Sequence, residues 1–132
     1  MSSGGLETEG SILTGVLMLP WPPSVNAYWR TFRGRMLISA AGREYRTAVA
    51  EQVVEQSVPK FGERKIKVTI EAFRPDNRRR DLDNLLKAAL DSMTSAGVFD
   101  DDSQIVDLRI YWAPAIGGYL MADIEEVGSG GS

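Results

Sequence analysis

The spacing of apolar and polar residues along the chain predicts four β-strands. Residues 12–19 are apolar at nearly every position, which is typical of a strand that is buried on both faces. Residues 66–73 and 104–112 alternate between apolar and polar side chains, which indicates strands with one buried face. The pair Gly117-Gly118 predicts a turn into a last strand at 119–126.

Two further segments repeat apolar residues at helical spacing. The first begins after Ser39, a favoured N-cap residue, and continues to about residue 57, where Pro59 ends it. The second spans residues 82–96 and stops at Gly97. The predicted order is β-α-β-α-β-β, which corresponds to an α+β fold with a mixed β-sheet and two main helices packed on it.

The length of the chain and the composition of its two ends predict a single domain with a tail on either side. The chain has 132 residues, of which 43% are hydrophobic, and this suffices for one core of ordinary size. The Gly/Ser-rich segments 1–11 and 128–132 are predicted to be flexible tails, so the domain is expected at 12–127. The sequence has neither an apolar run of roughly 20 residues nor a signal-peptide pattern. We therefore expect a cytoplasmic protein that has no membrane partner.

The residue types that are missing restrict the possible chemistry. The chain contains no cysteine and no histidine. Disulfides, thiolate or imidazole metal sites and histidine-based acid–base catalysis are therefore excluded. Any catalysis must depend on carboxylates, lysine, arginine, tyrosine, serine or a bound metal ion.

Charge is distributed unevenly along the chain. The net charge is −3, yet residues 21–80 carry thirteen Lys/Arg against six Asp/Glu, whereas residues 81–132 carry two against ten. Such asymmetry is typical of a nucleic-acid-binding surface that adjoins an acidic region. Cations bound in the acidic region would partly cancel its charge.

A loop at 24–35 interleaves aromatic residues with Arg30, Arg33 and Arg35. Arginines with aromatic neighbours can hold a phosphate and stack on a base. The pattern equally fits aromatic side chains that cover the core while the arginines point to water. The residues of this loop do not decide between the two interpretations.

The strongest candidate for a site lies at 78–87, where Arg78, Arg79 and Arg80 run directly into Asp81 and Asp83. A second acidic cluster, at 100–102, follows the predicted helix. Carboxylate oxygens suit a hard cation such as Mg²⁺. Asp81 and Asp83 can converge only if one of them precedes the helix or caps it, because residues two apart do not share a helix face.

Two residues further along the same helix face extend this candidate. Lys87 is four residues after Asp83, so it can neutralise a carboxylate or stabilise charge on a phosphate. Asp91 follows four residues later, and we expect it to hold Lys87 in place. The alternative to a functional site is a purely structural role for these residues. Asp81 would then only cap the helix, Asp83 and Lys87 would form an ordinary ion pair, and residues 100–102 would form an acidic turn exposed to water.

Three motifs carry a resemblance to a known family. They are Arg-Arg-Asp-Leu-Asp-Asn-Leu-x-Lys-Ala, Ala-Gly-Val-Phe-x-Asp-Asp-Ser-Gln and Pro-Trp-Pro-Pro-Ser-x-Asn. Over residues 17–126 the chain resembles the RusA family of Holliday junction resolvases. The resemblance implies a homodimeric, Mg²⁺-dependent endonuclease that acts on four-way DNA junctions in recombination and repair. It places the catalytic carboxylates, which are also the metal ligands, on Asp81, Asp83 and Asp102, and the catalytic lysine on Lys87.

The same resemblance extends the expected DNA contacts. It places the 24–35 loop near the active site, which favours DNA-binding roles for Asn26, Tyr28 and Arg30. With Arg33, Arg35 and the arginines at 78–80, these residues would grip the DNA backbone. Two alternative functions are a small-molecule phosphohydrolase that uses the same carboxylates and a non-catalytic DNA-binding module.

Overall fold

The computed structural model describes residues 12–128. The predicted tail 1–11 and most of the predicted tail 128–132 lie outside this range. Within it, no helix is long and apolar enough to cross a membrane. The elements are, in chain order, β1 (Thr14–Pro20), α1 (Val25–Tyr28), β2 (Trp29–Phe32), β3 (Arg35–Ile38), α2 (Ala40–Glu55), β4 (Ile66–Phe73), α3 (Leu82–Ser95), β5 (Ile105–Trp112) and β6 (Tyr119–Glu126).

Four strands form one mixed sheet in the order β1-β6-β4-β5. Strands β4 and β5 run parallel and are joined through α3, whereas β6 pairs antiparallel with both β1 and β4. Two parallel neighbours need a crossover of this length, and the helix provides it. The predicted α+β fold with a mixed sheet and two main helices is confirmed.

The core lies between the helices and one face of the sheet. Strand β4 alternates between fully buried and partly buried residues along its whole length, as its sequence pattern predicts. On the helix side, the largest fully buried side chains include Leu17, Ile70 and Leu120 from the sheet, Val49 from α2 and Met93 from α3. This packing fixes α3, and with it the candidate site, against the sheet.

The prediction that the first strand is buried on both faces is wrong. Leu17 and Leu19 are fully buried, but Val16 and Met18 are exposed on the opposite face. Strand β1 is at one edge of the sheet, and its face with Val16 and Met18 contains no buried residue. At the other edge, Val106 and Leu108 of β5 are also exposed.

Both predicted helices begin where their caps indicate. The Ser39 hydroxyl oxygen accepts a hydrogen bond from the Gly42 N–H at 3.0 Å, which caps α2. Helix α2 ends at Glu55, slightly before the predicted end. Gly97 follows α3 with a φ of 83°, a conformation that glycine adopts without a steric penalty.

A short hairpin between α1 and α2 is not predicted by the sequence pattern. Strands β2 and β3 pair antiparallel and form a separate two-stranded sheet. The connecting residues, Arg33 and Gly34, both have positive φ, at 54° and 74°. Such two-residue turns usually contain Asn-Gly or Asp-Gly, so Arg-Gly gave no turn signal.

Candidate active site

A groove of about 660 Å³ runs along the exposed side of α3. It brings Asp83, Lys87 and Asp102 into one cavity. Residues four apart on a helix share a face, which explains why Asp83 and Lys87 line it together. The full lining consists of Trp29, Asp83, Asn84, Leu86, Lys87, Leu90, Asp91, Thr94, Asp101 and Asp102. We call this cavity the α3 groove.

Asp81 lines a different cavity on the other side of the α3 N-terminus. It is the N-cap residue of α3, which is one of the placements that the sequence allowed, but its side chain makes no capping hydrogen bond. Its exposed carboxylate therefore stays available to a ligand. The second cavity, called here the tryptophan cavity, has a volume of about 560 Å³ and is lined by Trp21, Pro22, Pro23, Ser24, Arg78, Arg79, Arg80, Asp81, Asn84 and Leu85.

The acidic loop after α3 distinguishes two neighbouring aspartates. The Asp101 carboxylate accepts a hydrogen bond from the Ser103 N–H at 2.9 Å and caps a short 3-10 turn at Asp102–Gln104. Hydrogen bonding to the Ser103 side chain, and then to its backbone N–H, lowers the pKa of Asp101. Within residues 12–128 the Asp102 carboxylate has no such partner. Asp102 is thus the freer oxygen ligand of the two.

A buried glutamine fixes this acidic loop. Gln104 accepts hydrogen bonds from the N–H groups of Asp100 and Asp101 at 3.1 and 2.8 Å. Its side-chain amide also donates to the carbonyl of Gly62 at 2.8 Å. The loop is thereby attached to the segment before β4, so Asp102 has a fixed position at the start of β5.

The donor chemistry suits a hard divalent cation, but the three carboxylates are not grouped. Among residues 12–128, no three acidic side chains lie close enough together to hold a metal ion. Asp83 and Asp102 line the α3 groove, whereas Asp81 lines the tryptophan cavity. The assignment of Asp81, Asp83 and Asp102 to one metal site stays a prediction.

The expectation that Asp91 holds Lys87 is wrong. Asp91 accepts two hydrogen bonds from the Arg46 guanidinium, at 2.8 and 2.9 Å, and a third from the Tyr28 hydroxyl. All its strong partners therefore come from α1 and α2. Within the described range the Lys87 ammonium makes no ion pair with any carboxylate. The lysine lines the groove, and no carboxylate of residues 12–128 neutralises it.

Tyr28 is not placed to contact DNA, so that prediction is also wrong. Its side chain is fully buried and packs against Trp29 and Tyr45, with ring centroids 5.0 and 6.1 Å away. Burial, and then the hydrogen bond to Asp91, raises the pKa of the Tyr28 phenol. The phenol stays protonated and donates to Asp91. Asn26, two residues earlier on α1, is exposed, and its contact with DNA stays a prediction.

The three consecutive arginines differ in their surroundings. Arg78 and Arg79 are exposed, whereas the Arg80 side chain is 21% exposed and forms a 2.8 Å ion pair with Asp76. The Arg80 guanidinium also lies 5.5 Å from the centre of the Trp21 ring. The hydrogen bond from the Arg80 side chain is the main reason that the pKa of the Asp76 carboxyl is lowered, and the hydrogen bond from the Arg78 backbone N–H lowers it further. Arg80 is held in place before any ligand arrives.

The hairpin carries the other candidate arginines. Arg30, Arg33 and Arg35 are all exposed, and the first two lie 5.8 and 5.2 Å from the Phe32 ring. Trp29, at the base of the hairpin, lines the α3 groove. The hairpin thus begins at the groove and presents positive charge at the surface, while its contact with DNA remains a prediction.

The sequence analysis missed three residues that shape the site. Arg46 lies 45 positions from Asp91, so only the packing of α2 on α3 reveals the pair. Asn84 lines both cavities, and Trp21 lines the second. Asn84 and Trp21 belong to the quoted motifs, and that membership was the signal available for them.

Comparison with known proteins gives a consistent result. Residues 20–120 match the family described as Endodeoxyribonuclease RusA. A protein of Escherichia coli K12 named Crossover junction endodeoxyribonuclease RusA is 46% identical over 115 residues, which are 86% of this chain and 95% of that protein. A protein of Enterobacteria phage 82 with the same name is 47% identical over the same shares.

Proposed function

This chain belongs to the RusA family of endodeoxyribonucleases, and we propose that it resolves four-way DNA junctions by paired, Mg²⁺-dependent hydrolysis of two phosphodiester bonds. The observation that carries the proposal is the α3 groove, in which Asp83, Asp102 and Lys87 make no ion pair with other described residues. Charges that have no partner within the protein are available to a metal ion and a phosphate. Family membership favours a nuclease over a small-molecule phosphohydrolase or a non-catalytic module.

The family implies a divalent metal, and we assign Mg²⁺ to the carboxylates of Asp81, Asp83 and Asp102. All three are exposed and offer only oxygen atoms, the ligands that Mg²⁺ prefers. Mg²⁺ often takes only one or two protein carboxylates and fills its other positions with water and substrate phosphate. Bound there, the cation would lower the pKa of a water molecule and screen charge on the phosphate.

Lys87 acts on the phosphate itself. Its ammonium projects from the middle of the groove, one helical turn from Asp83. The Asp91 carboxylate accepts its hydrogen bonds from Arg46 and Tyr28. Lys87 can therefore donate a hydrogen bond to a non-bridging phosphate oxygen. Charge on those oxygens increases in the transition state, so a fixed cation there lowers the barrier.

The arginines bind the DNA backbone. Arg79 is exposed beside Asp81, and Arg80 is held by Asp76 in the neighbouring cavity. Arg30, Arg33 and Arg35 extend the positive surface along the hairpin. Contacts of this kind position a duplex without reading its sequence, and they weaken as the salt concentration rises.

The enzyme acts as a homodimer in this proposal. A four-way junction has two-fold symmetry, and complete resolution needs two matched cuts. A C2 dimer supplies two identical sites in the required relation. Strand β5, an edge strand with exposed Val106 and Leu108, offers apolar surface for such a contact.

The dimer also offers a second way to group the carboxylates, besides the groove of one chain. Along the chain, Asp102 follows the end of α3, whereas Asp81 and Asp83 lie at its start. A two-fold axis that sets Asp102 of the partner subunit against Asp81 and Asp83 would complete an oxygen-only metal site. Each of the two sites would then contain residues from both subunits.

A nuclease assay tests the function. Purified protein is incubated with a four-way junction and with a linear duplex of the same sequence, in Mg²⁺ and in a chelator. The proposal predicts symmetric cuts in opposite strands of the junction, only in Mg²⁺, and little cutting of the duplex. Tight junction binding without any cleavage in Mg²⁺ would instead support a non-catalytic DNA-binding module.

A further inference from the structure

The tryptophan cavity adjoins the α3 groove across the start of α3. Asn84 lines both cavities, while Asp81 and Asp83 line one each. Two of the carboxylates to which the proposed function assigns the metal ion therefore lie at the boundary between the cavities, close to the phosphate that is cut. A nucleotide next to that phosphate comes within reach of the tryptophan cavity.

The lining of the tryptophan cavity combines positive charge with an apolar surface. Trp21, Pro23 and Leu85 contribute apolar atoms, and Arg78 and Arg79 contribute charge. A phosphate is bound by charge and hydrogen bonds alone and gains nothing from contact with apolar groups. A nucleobase has a flat apolar face, and aromatic side chains and arginines both stack on such faces.

Two of the side chains that line this cavity, Trp21 and Arg80, belong to a row of four. Arg80 lies 5.5 Å from the Trp21 ring, Trp21 stacks on Trp112 with centroids 6.5 Å apart, and Arg74 lies 4.4 Å from the Trp112 ring. The Asp76 carboxylate holds Arg80 at one end of the row. Because the indole already has these neighbours, little conformational entropy is lost when a ligand contacts it.

We propose that the tryptophan cavity is a nucleobase subsite that takes one base of the cleaved strand, next to the phosphate that is cut. This inference rests on the proposed junction-cleaving function and adds to it a contact with a base. The base would lie against Pro23 and the edge of the Trp21 ring, because Arg80 and Trp112 already lie against that ring, and the amide of Asn84 and the hydroxyl of Ser24 would face its polar edge. Bases that are already unpaired leave the stack at the lowest cost, which favours a branched substrate over a duplex.

A cycle that combines an enzyme variant with a modified substrate tests the proposal. Junctions with a single abasic residue at each position around the cut are cleaved by wild type and by Trp21→Leu in single-turnover reactions. An abasic residue at one position should slow wild type about ten-fold, as should Trp21→Leu on the intact junction. The two changes together should slow cleavage no more than either alone, because both remove the same contact.

Tyr111→Leu is the matched control. Tyr111 is an exposed aromatic residue that lines neither cavity, so its effect should be the same on intact and abasic junctions. If the loss from Trp21→Leu and the loss from the abasic residue multiply at every position, the two changes act independently and the proposed base contact is wrong. If Trp21→Leu does not fold, the wild-type scan decides: a ten-fold loss at one position supports the subsite, and unchanged rates at all positions overturn it.

The same data separate this inference from the proposed function. Failure to cleave the intact junction in Mg²⁺ contradicts the function and the subsite together. Equal cleavage of intact and abasic junctions contradicts the subsite alone.

Discussion

Arg46 on α2 donates two hydrogen bonds to Asp91 on α3, from Nε to Oδ2 at 2.8 Å and from Nη2 to Oδ1 at 2.9 Å. The fork of the guanidinium matches both carboxylate oxygens, which is the strongest geometry for such a pair. The pair joins the two main helices beside the α3 groove. It also satisfies a carboxylate that would otherwise compete with phosphate for Lys87.

The first prediction concerns stability. Asp91→Asn should lower the free energy of unfolding by about 1–3 kcal/mol, because it weakens charged hydrogen bonds in a partly buried position. Denaturant unfolding measures the change. Asp107→Asn is the matched control, since its 3.9 Å pair with Arg109 is exposed and should contribute less than about 1 kcal/mol. Equal losses in the two variants would show that the Arg46–Asp91 pair has no special role.

The second prediction separates catalysis from folding at Lys87. Lys87→Ala should slow junction cleavage about 100-fold or more, since it removes a donor that acts on the transition state. Its melting temperature should stay close to that of wild type, because the side chain is exposed and has no ion pair within residues 12–128. Lys60→Ala, at an exposed position outside both cavities, serves as the control. A clear loss of stability with normal turnover would make Lys87 a structural residue.

The third prediction distinguishes the two aspartates of the acidic loop. Asp102→Asn should abolish cleavage and leave junction binding intact, because it removes a free oxygen ligand and a negative charge that faces phosphate. Asp101→Asn should retain cleavage and lower the melting temperature, because it weakens the cap at Ser103. Parallel cleavage assays and thermal melts measure both effects. The reverse pattern would transfer the catalytic role to Asp101.

The sign of the pH dependence at Asp101 follows from its lowered pKa. A carboxyl whose pKa is lower in the folded state stabilises that state above its unfolded pKa, and the contribution disappears as the pH falls through the folded value. The stability difference between wild type and Asp101→Asn should therefore shrink in acid. Thermal melts at neutral pH and at low pH complete the third test.

The fourth prediction concerns the shared site. If each metal site contains residues of both subunits, Asp83→Asn and Asp102→Asn should each be inactive alone. A mixture of the two variants forms heterodimers with one site that carries both substitutions and one intact site. Such a mixture should nick the junction, as seen on a denaturing gel. If every site lies within one chain, the mixture stays inactive.

Local patterns in the sequence predicted much of the fold. The caps at Ser39 and Asp81, the stop at Gly97 and the alternation at 66–73 all act within a few residues, so the sequence shows them directly. The errors came from position in the sheet. Residues 12–19 form an edge strand with one open face, and no local pattern shows which faces the helices leave uncovered.

In the candidate site, too, local features could be predicted from the sequence and long-range contacts could not. The sequence allowed Asp81 or Asp83 to cap α3, and helical spacing predicted Asp83 and Lys87 on one face. The partners of Asp91 could not be predicted from the sequence, because Arg46 and Tyr28 lie 45 and 63 residues away. The burial of Tyr28 could not be predicted either, because aromatic residues between arginines are equally compatible with a core and with a DNA-binding surface.

Catalysis by the carboxylates of α3 is tested by comparing binding with cleavage in one variant at Asp83. Binding of a four-way junction to wild type and to Asp83→Asn is measured by gel shift in a chelator, and cleavage is measured separately in Mg²⁺ under single-turnover conditions. Asp83→Asn should bind the junction at least as tightly as wild type and should not cut it. Cleavage by Asp83→Asn at the wild-type rate would contradict the assignment of catalysis to the carboxylates of α3.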